Sequence, residues 1–285
     1  MADQSRRAAA GAAETGQKLH KVLADAGLGS RREIEQWIAA GRVQVNGEPA
    51  HVGQRVFAQD EVQVDERRIN LKRGTVTQVL LLNKAAGTVC ARRDPDGRAT
   101  VFDELPKLKH GRWVSVGRLD IQTTGLLLLT NDGTLANKMM HPSTGLDREY
   151  AVRVDARLDE AQIAQLVAGV YVDDELLKFS DVQYYDGSGR NHWYHVVLME
   201  GKNREVRRLF ESIGCTVSRL KRVRYGPVIL PSWLRLGQWA SLQAADLKQL
   251  HSLLGLRYKP PANPRQRMPR VAKSSCLLPY PDLDL

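Results

Sequence analysis

The stretch VGRLDIQTTGLLLLTNDG, Val116 to Gly133, sets three polar side chains, Arg118, Asp120 and Gln122, ahead of four consecutive leucines, Leu126 to Leu129. The leucine run, bordered by Gly125 and by Asn131-Asp132-Gly133, reads as a core strand. WVSVGRLD approaches it as another strand, Gly117 permits a tight backbone, and Thr123-Thr124-Gly125 breaks the pattern. Asp120 therefore falls on a short loop between two buried strands. A carboxylate so placed is partly desolvated and needs either a cation or a raised pKa. Arg118, two residues away, shares a face with it in extended chain. A structural Arg-Asp clamp and a reactive carboxylate both fit that spacing.

Working outward, QVLLLNK, REYAVRV, VYVD, WYHVVLME and TVSRLKRVRYG are further strand-like runs with Gly, Asp or Asn at their borders, and GTLANKMMHP, DEAQIAQLVAG and NREVRRLFESIG carry helical patterns between them. Many strands with a few intervening helices predict an α+β sheet domain. In the last of those helices Val206, Leu209, Phe210 and Ile213 form one apolar stripe, with Arg204, Arg207 and Arg208 off it and Lys202-Asn203 just before it. The helix N-terminus adds free N–H groups and positive dipole, suited to phosphate. Downstream, Arg219, Lys221, Arg222 and Arg224 alternate with Leu220 and Val223 as a strand with one basic face would. Eight Lys and Arg between Lys202 and Arg224, against Glu205 and Glu211, form a stripe that suits RNA.

Nearer the N-terminus, KLHKVLADAG has helical spacing and ends in Gly27. GSRREIEQWIAAG opens with a capping box, Ser30 and Glu33, and presents Ile34, Trp37 and Ile38 to a core. RVQVNGEPA then turns at Asn46-Gly47, a hairpin signal. Lys18, Lys21, Arg31, Arg32 and Arg42 surround the helix ends, where they could track a phosphate backbone; from charge alone a solvated face fits equally. GLGSRREIEQWIAAGRVQVNG resembles the small S4-like (alpha-L) RNA-binding domain first described in a small-subunit ribosomal protein, over about fifty residues.

The whole chain of 285 residues has a formal net charge of +10, which favours polyanionic partners, and its 42% hydrophobic content supports a real core. No apolar run nears the roughly 18 residues of a membrane span, and the opening segment lacks the apolar middle of a secretory signal, so a soluble, cytoplasmic protein is expected. Cys90, Cys215 and Cys276 show neither disulfide nor zinc spacing. The expected organisation is a disordered lead at 1–16, the S4-like domain at 17–72, a catalytic domain at 76–257, and a proline-rich mobile tail at 258–285, which holds six of the twelve prolines.

GRLDIQTTGLLLLTNDG, REYAV and EGKNREVRRL together resemble the pseudouridine synthases that modify ribosomal RNA in bacteria, in the branch with an N-terminal alpha-L domain, from about Lys18 to about Leu242. The resemblance implies a central, mostly antiparallel sheet flanked by helices. It implies that Asp120 starts the isomerisation of uridine, by attack on C1′ or through a glycal. Tyr150 would pack on the uracil and help remove the C5 proton. Arg207 would ion-pair with Asp120, and Arg118 would enter the RNA or contact phosphate. Lys84, Lys202, Asn203, Arg204, Arg208, Arg222 and Arg224 would contact RNA together with Lys18, Lys21, Arg31, Arg32 and Arg42. No cofactor and no metal are implied. The expected partner of a monomeric enzyme is ribosomal RNA, as a 23S stem-loop or within a large-subunit precursor particle. A non-catalytic RNA-binding protein, or the same reaction on small-subunit ribosomal or transfer RNA, is the alternative. One departure is Lys84-Ala85-Ala86-Gly87, where the family usually has Lys-Pro-x-Gly. A second is the tail, which ends CLLPYPDLDL where relatives often carry a basic segment.

Three other motifs carry less. His192 and His195 of HWYH lie three apart in a strand and so face opposite ways, against a metal site. Asp173-Asp174-Glu175 reads as a solvated turn, and His141-Pro142 as a helix cap.

Overall fold

A computed structural model describes residues 16–70, 76–260, 270–281 and 283. Its contacts divide the chain into Met1–Thr75 with Leu108–Arg112, and Val76–Lys107 with Trp113–Leu285. Residues 71–75, between the two expected domains, and the expected disordered lead apart from Gly16 lie outside the described residues.

The first unit runs β1 (Gln17–Lys18), α1 (Leu19–Asp25), α2 (Arg31–Ala39), β2 (Val43–Val45), β3 (Glu48–Pro49), β4 (Arg55–Val56), β5 (Val62–Val64) and β6 (Arg67–Ile69). Strands β3-β2-β5-β6 form one antiparallel sheet, and β1 pairs with β4. The capping box closes as expected: the Glu33 N–H donates to the Ser30 hydroxyl at 3.1 Å and the Ser30 N–H to the Glu33 carboxylate at 3.0 Å. Asn46 and Gly47 take φ of 55° and 87°, which a two-residue hairpin loop requires at both positions. Leu19, Leu23, Ile34, Ile38, Val43 and Val62 fill the core.

The second unit holds β7 (Val79–Lys84), β8 (Val114–Val116), β9 (Thr124–Thr130), α3 (Gly133–Met140), β10 (Arg148–Val154), α4 (Glu160–Ala168), β11 (Val170–Val172), β12 (Glu175–Leu177), β13 (Asp181–Ser188), β14 (Asn191–Leu198), α5 (Glu205–Ser212), β15 (Val217–Tyr225), β16 (Val228–Ile229), β17 (Trp239–Ser241) and α6 (Ala244–Leu253). Its nine-stranded sheet has the order β13-β14-β10-β15-β9-β7-β17, with β16 on β15 and β8 on β9. Every pairing is antiparallel except β15 with β9. Leu126 to Leu129 need no alternation because β9 is covered on both faces, and all four are inaccessible to solvent. Each such leucine stabilises the fold by about 1.5–3 kcal/mol relative to an exposed one. The hairpin β11–β12 turns through Asp173 and Asp174, both at positive φ.

Strand β15 is irregular where it matters. Its register on β10 pairs Arg224 with Glu149, Arg222 with Tyr150, Lys221 with Ala151 and Arg219 with Arg153. The shift between Glu149 and Tyr150 leaves Val223 as an extra residue, and a bulge of this kind reverses the alternation. Arg219, Lys221 and Arg224 consequently share one face, while Arg222 lies on the other with Tyr150.

The proline-rich end differs from expectation. Within residues 270–281, Ala272 and Cys276 are buried and Leu277 and Tyr280 partly so. Val271 bridges Ser241 on the edge strand β17, Leu277 bridges Val228, and the buried Asp246 carboxylate accepts from the Ser275 hydroxyl at 2.8 Å and the Cys276 N–H at 3.0 Å. An edge strand leaves a row of unpaired backbone groups, and this segment covers them, so a tail without regular structure is nonetheless held. Burial raises the Cys276 thiol to about 11.

Gly125 joins β9 to its parallel neighbour. Its φ is +98°, and a Cβ there would lie 2.2 Å from the Arg222 carbonyl oxygen. Gly125→Ala should therefore destabilise the protein by about 3 kcal/mol through strain and overpacking, read as a lower urea midpoint at unchanged slope.

Candidate active site

The loop from Gly117 to Thr123 joins β8 to β9. As the sequence suggested, Asp120 lies on a short loop between two strands: β8 ends at Val116, and Gly117 turns the chain at φ 75°. The Gly117 N–H donates to the Met140 sulfur at 2.9 Å and the Leu119 N–H to the Cys90 thiol at 3.5 Å. The loop closes on itself through the Thr123 N–H to the Asp120 carbonyl, 3.0 Å, and is tied to the β7 end through the Gly87 N–H to the Ile121 carbonyl, 2.8 Å. Asp120 is half-buried and Arg118 exposed.

Beneath this loop lies Lys84. It is 1% exposed, and its ammonium donates to four backbone carbonyls: Ala85 at 2.9 Å, Thr123 at 3.0 Å, and Asp120 and Ile121 at 3.2 Å. Burial lowers its pKa, and the neighbouring Cys90 and Asp120 act in the opposite direction. The expectation that Lys84 contacts RNA is thereby corrected: it is an interior cation whose ligands are the loop's own carbonyls. The absent proline at position 85 leaves this cage intact, because the Lys and the turn at Gly87 supply it.

Tyr150 is centred in β10, 8% exposed, with Arg222 beside it in register on β15. Arg222 is also interior, at 2% exposure, which removes it from the expected RNA surface. Its Nε donates to the Leu126 carbonyl at 2.7 Å, its guanidinium lies 5.2 Å from the Tyr225 ring centre, and its Nη2 is buried without a hydrogen-bond partner. The Thr123 hydroxyl is likewise buried and unpartnered.

Helix α5 contributes Arg207, whose Nη1 donates to the Val217 carbonyl at 2.8 Å. Burial lowers its pKa, with Arg204 adding to the effect, while Asp120 offsets them. The pair is thus coupled through space, and the contact ion pair implied for Asp120 and Arg207 is not closed. The other cations of this region are largely engaged. Arg208 binds Glu175 at 2.8 Å, Asp173 at 3.2 Å and the Val172 carbonyl at 2.8 Å; Lys202 binds the Leu176 carbonyl at 3.1 Å and approaches Glu175 at 3.5 Å. Together they pin the β11–β12 hairpin to the start of α5. What read as a solvated acidic turn is therefore the anchor of a helix. Arg204 and Asn203 remain exposed.

Arg224 is held by Asp147 at 2.6 and 2.7 Å and by Glu149 at 2.9 Å, and Glu149 also meets His195 at 2.6 Å. The Tyr280 hydroxyl donates to Asp147 at 2.8 Å, so the C-terminal segment completes the network. Burial would raise both carboxyls, but the hydrogen bonds from Arg224 and Tyr280 on Asp147, and from His195 and Arg224 on Glu149, leave both below their ordinary values. In the first unit Lys18, Arg31 and Arg32 are exposed and Lys21 half-buried, whereas Arg42 donates to Asp65 at 2.8 Å and stacks on Trp37. Among the described residues no group of His, Cys, Asp and Glu could hold a metal ion, and no helix is long and apolar enough to cross a membrane.

The model of the RNA pseudouridylate synthase family matches residues 78–212, and that of the S4 domain residues 17–62. Ribosomal large subunit pseudouridine synthase B of Vibrio vulnificus is 51% identical over 246 residues, 85% of this chain and 76% of that protein. The chain belongs to the RNA pseudouridylate synthase family. The synthase of the same name from Pseudomonas aeruginosa is 54% identical over 85% of this chain, and the chain spans 64% of that protein's length; for the Salmonella typhimurium synthase the identity is 50%, covering 86% and 84%. A crystal structure of a pseudouridylate synthase superposes with a TM-score of 0.57 at 26% identity, covering 82% of this chain and 99% of that one. The α+β fold with an N-terminal S4 domain is thus that of a pseudouridine synthase, an isomerase.

Two predictions concern the synthase site. Lys84→Met should leave RNA affinity unchanged and cut the turnover of pseudouridine formation roughly a hundredfold, since a displaced reacting group costs about that much; separate measurement of kcat and KM checks it. The Asp147 and Glu149 carboxylates, whose pKa values are lowered on folding, stabilise the protein above their unfolded values of 3.8 and 4.5, and that contribution disappears as pH falls through the folded ones. Asp147→Asn should therefore flatten the acid-side fall of the urea midpoint while lowering it at neutral pH.

Proposed function

We propose that this protein converts one or more uridines of large-subunit ribosomal RNA to pseudouridine, acting in the cytoplasm on free 23S RNA or on a precursor particle. The observation that carries the reading is the Lys84 cage, which fixes the Asp120 loop by its backbone and leaves the carboxylate clear of any contact ion pair. The relatives' names supply the ribosomal substrate.

A uridine inside a helix cannot present its glycosidic bond, so the target nucleotide must be turned out of the stack. Asp120 then acts at the ribose, either by attack on C1′ or by assisting a glycal, and the bond from N1 to C1′ breaks. The uracil stays bound and rotates against Tyr150, C5 joins C1′, and the C5 proton is removed while N1 gains one. Atoms balance with no loss from substrate, so the chemistry requires no redox partner. A carboxylate suits this role because it is both nucleophile and leaving group. Arg207 on α5 offers the site a fixed cation, held by its bond to the Val217 carbonyl. Tyr150 offers an aromatic face for the base, and the exposed Arg118 is placed for phosphate.

Asp120→Asn should bind ribosomal RNA as the wild type does and form no pseudouridine. Carbodiimide adduct mapping by primer extension on unmodified RNA decides it: a stop that appears with wild type only, in large-subunit RNA, is the expected result. Comparable product from the variant would remove Asp120 from the chemistry, and a stop confined to small-subunit RNA would reassign the substrate.

A further inference from the structure

The β10–β14–β15 portion of the sheet has two unlike faces. One, with Tyr150, Val152, Tyr194 and Val196, is buried. On the other, Ala151, Arg153, Trp193, His195, Val197 and Lys221 are all partly exposed, and Arg219 and Tyr185 are exposed, Tyr185 at 74%. The register makes this a compact patch. His195, Ala151 and Lys221 stand in one row across three strands, and Trp193, Arg153 and Arg219 stand in the next. A bulge between Tyr184 and Asp186 puts Tyr185 against His195, ring centres 5.5 Å apart. Arg153 lies 6.0 Å from the Trp193 ring centre and donates through Nε to the Ser218 hydroxyl at 2.9 Å.

The charges on this face are uneven. Glu149 is taken by His195 and Arg224, whereas Arg153, Arg219 and Lys221 form no ion pair with a described carboxylate. Asp181 and Asp186 of β13 stand in register with Val197 and Trp193 at the far edge of this face, but three cations outside any ion pair, interleaved with Tyr185, Trp193 and His195 on an open antiparallel sheet, match one chemistry well: phosphates along a strand whose unpaired bases stack on aromatic rings. A membrane surface would be met by long apolar side chains among the cations, and the only aliphatic groups here are Ala151 and Val197. An acidic protein would leave the three rings without a purpose.

We propose that this face is a second RNA site, separate from the catalytic loop, that binds single-stranded RNA without regard to sequence. The proposal stands independently of which uridine is modified, because neither Asp120 nor Tyr150 takes part in it.

The test is fluorescence anisotropy of the full-length protein with a labelled single-stranded oligoadenylate, which has no uridine to isomerise. Tyr185→Ala, at an exposed position, should weaken binding about tenfold, the size of one lost base stack. Arg153→Glu with Arg219→Glu should weaken it further and make the plot of log affinity against log salt shallower by about 0.7 for each lost phosphate contact. Both variants should keep the wild-type kcat at saturating ribosomal RNA. Unchanged affinity and salt slope in both would overturn the proposal and leave oligoadenylate binding to the S4 domain or the catalytic face. Failure of wild type to form pseudouridine would count against the assigned reaction, while loss of oligoadenylate binding in the variants would still support this site.

Discussion

A single buried ammonium organises the loop that carries Asp120. Removed from water, the Lys84 charge must be met by dipoles, and the four carbonyls around it come from the end of β7 and from the Asp120–Thr123 loop. Turning those carbonyls inward fixes the loop by its backbone, so its side chains need no partners of their own to hold position. That is how Asp120 holds its place at the edge of an apolar sheet without a contact ion pair among the described residues. The arrangement fixes Asp120 at its backbone and leaves its carboxylate outside any ion pair found among the described residues.

The remaining cations divide by what they face. Arg208 and Lys202 hold a hairpin to α5, Arg224 locks β10 to β15 with Asp147 and Glu149, and Arg222 spans from β15 to the Leu126 carbonyl. These are structural ties in the part of the fold that holds Tyr150 and Arg207. The exposed or partly exposed cations include Arg118 on the loop, Arg204 at the start of α5, which approaches Glu211 at 3.6 Å, Lys18, Arg31 and Arg32 in the S4 unit, and Arg153, Arg219 and Lys221 on the open face of the sheet. A net charge of +10 thus conceals two populations, one neutralised inside the fold and one available outside it.

The C-terminal segment belongs to the same economy of satisfied groups. Its prolines exclude regular structure, yet Asp246 accepts from its backbone and side chain, and Tyr280 reaches Asp147 at the base of the Arg224 network. A segment with no periodic pattern is ordered here because it completes hydrogen bonds that the sheet edge and a buried carboxylate would otherwise lack.

The sequence by itself determined the elements whose forces are local. The Ser30–Glu33 capping box, the Asn46-Gly47 hairpin, the four-leucine strand and the apolar stripe of α5 all depend on residues within a turn or two of one another, and each is found where its pattern places it. Tertiary structure decided everything that rests on burial and register. A lysine reads as a surface cation until four carbonyls from distant residues enclose it, and Lys84 carries no local sign of that. Alternation from Lys221 turns Arg222 inward, and the bulge at Val223, set by pairing with β10, returns Arg224 to the face of Arg219 and Lys221. Strand alternation is a property of one chain, whereas the face each residue finally occupies belongs to the pair of strands, and no single segment encodes it.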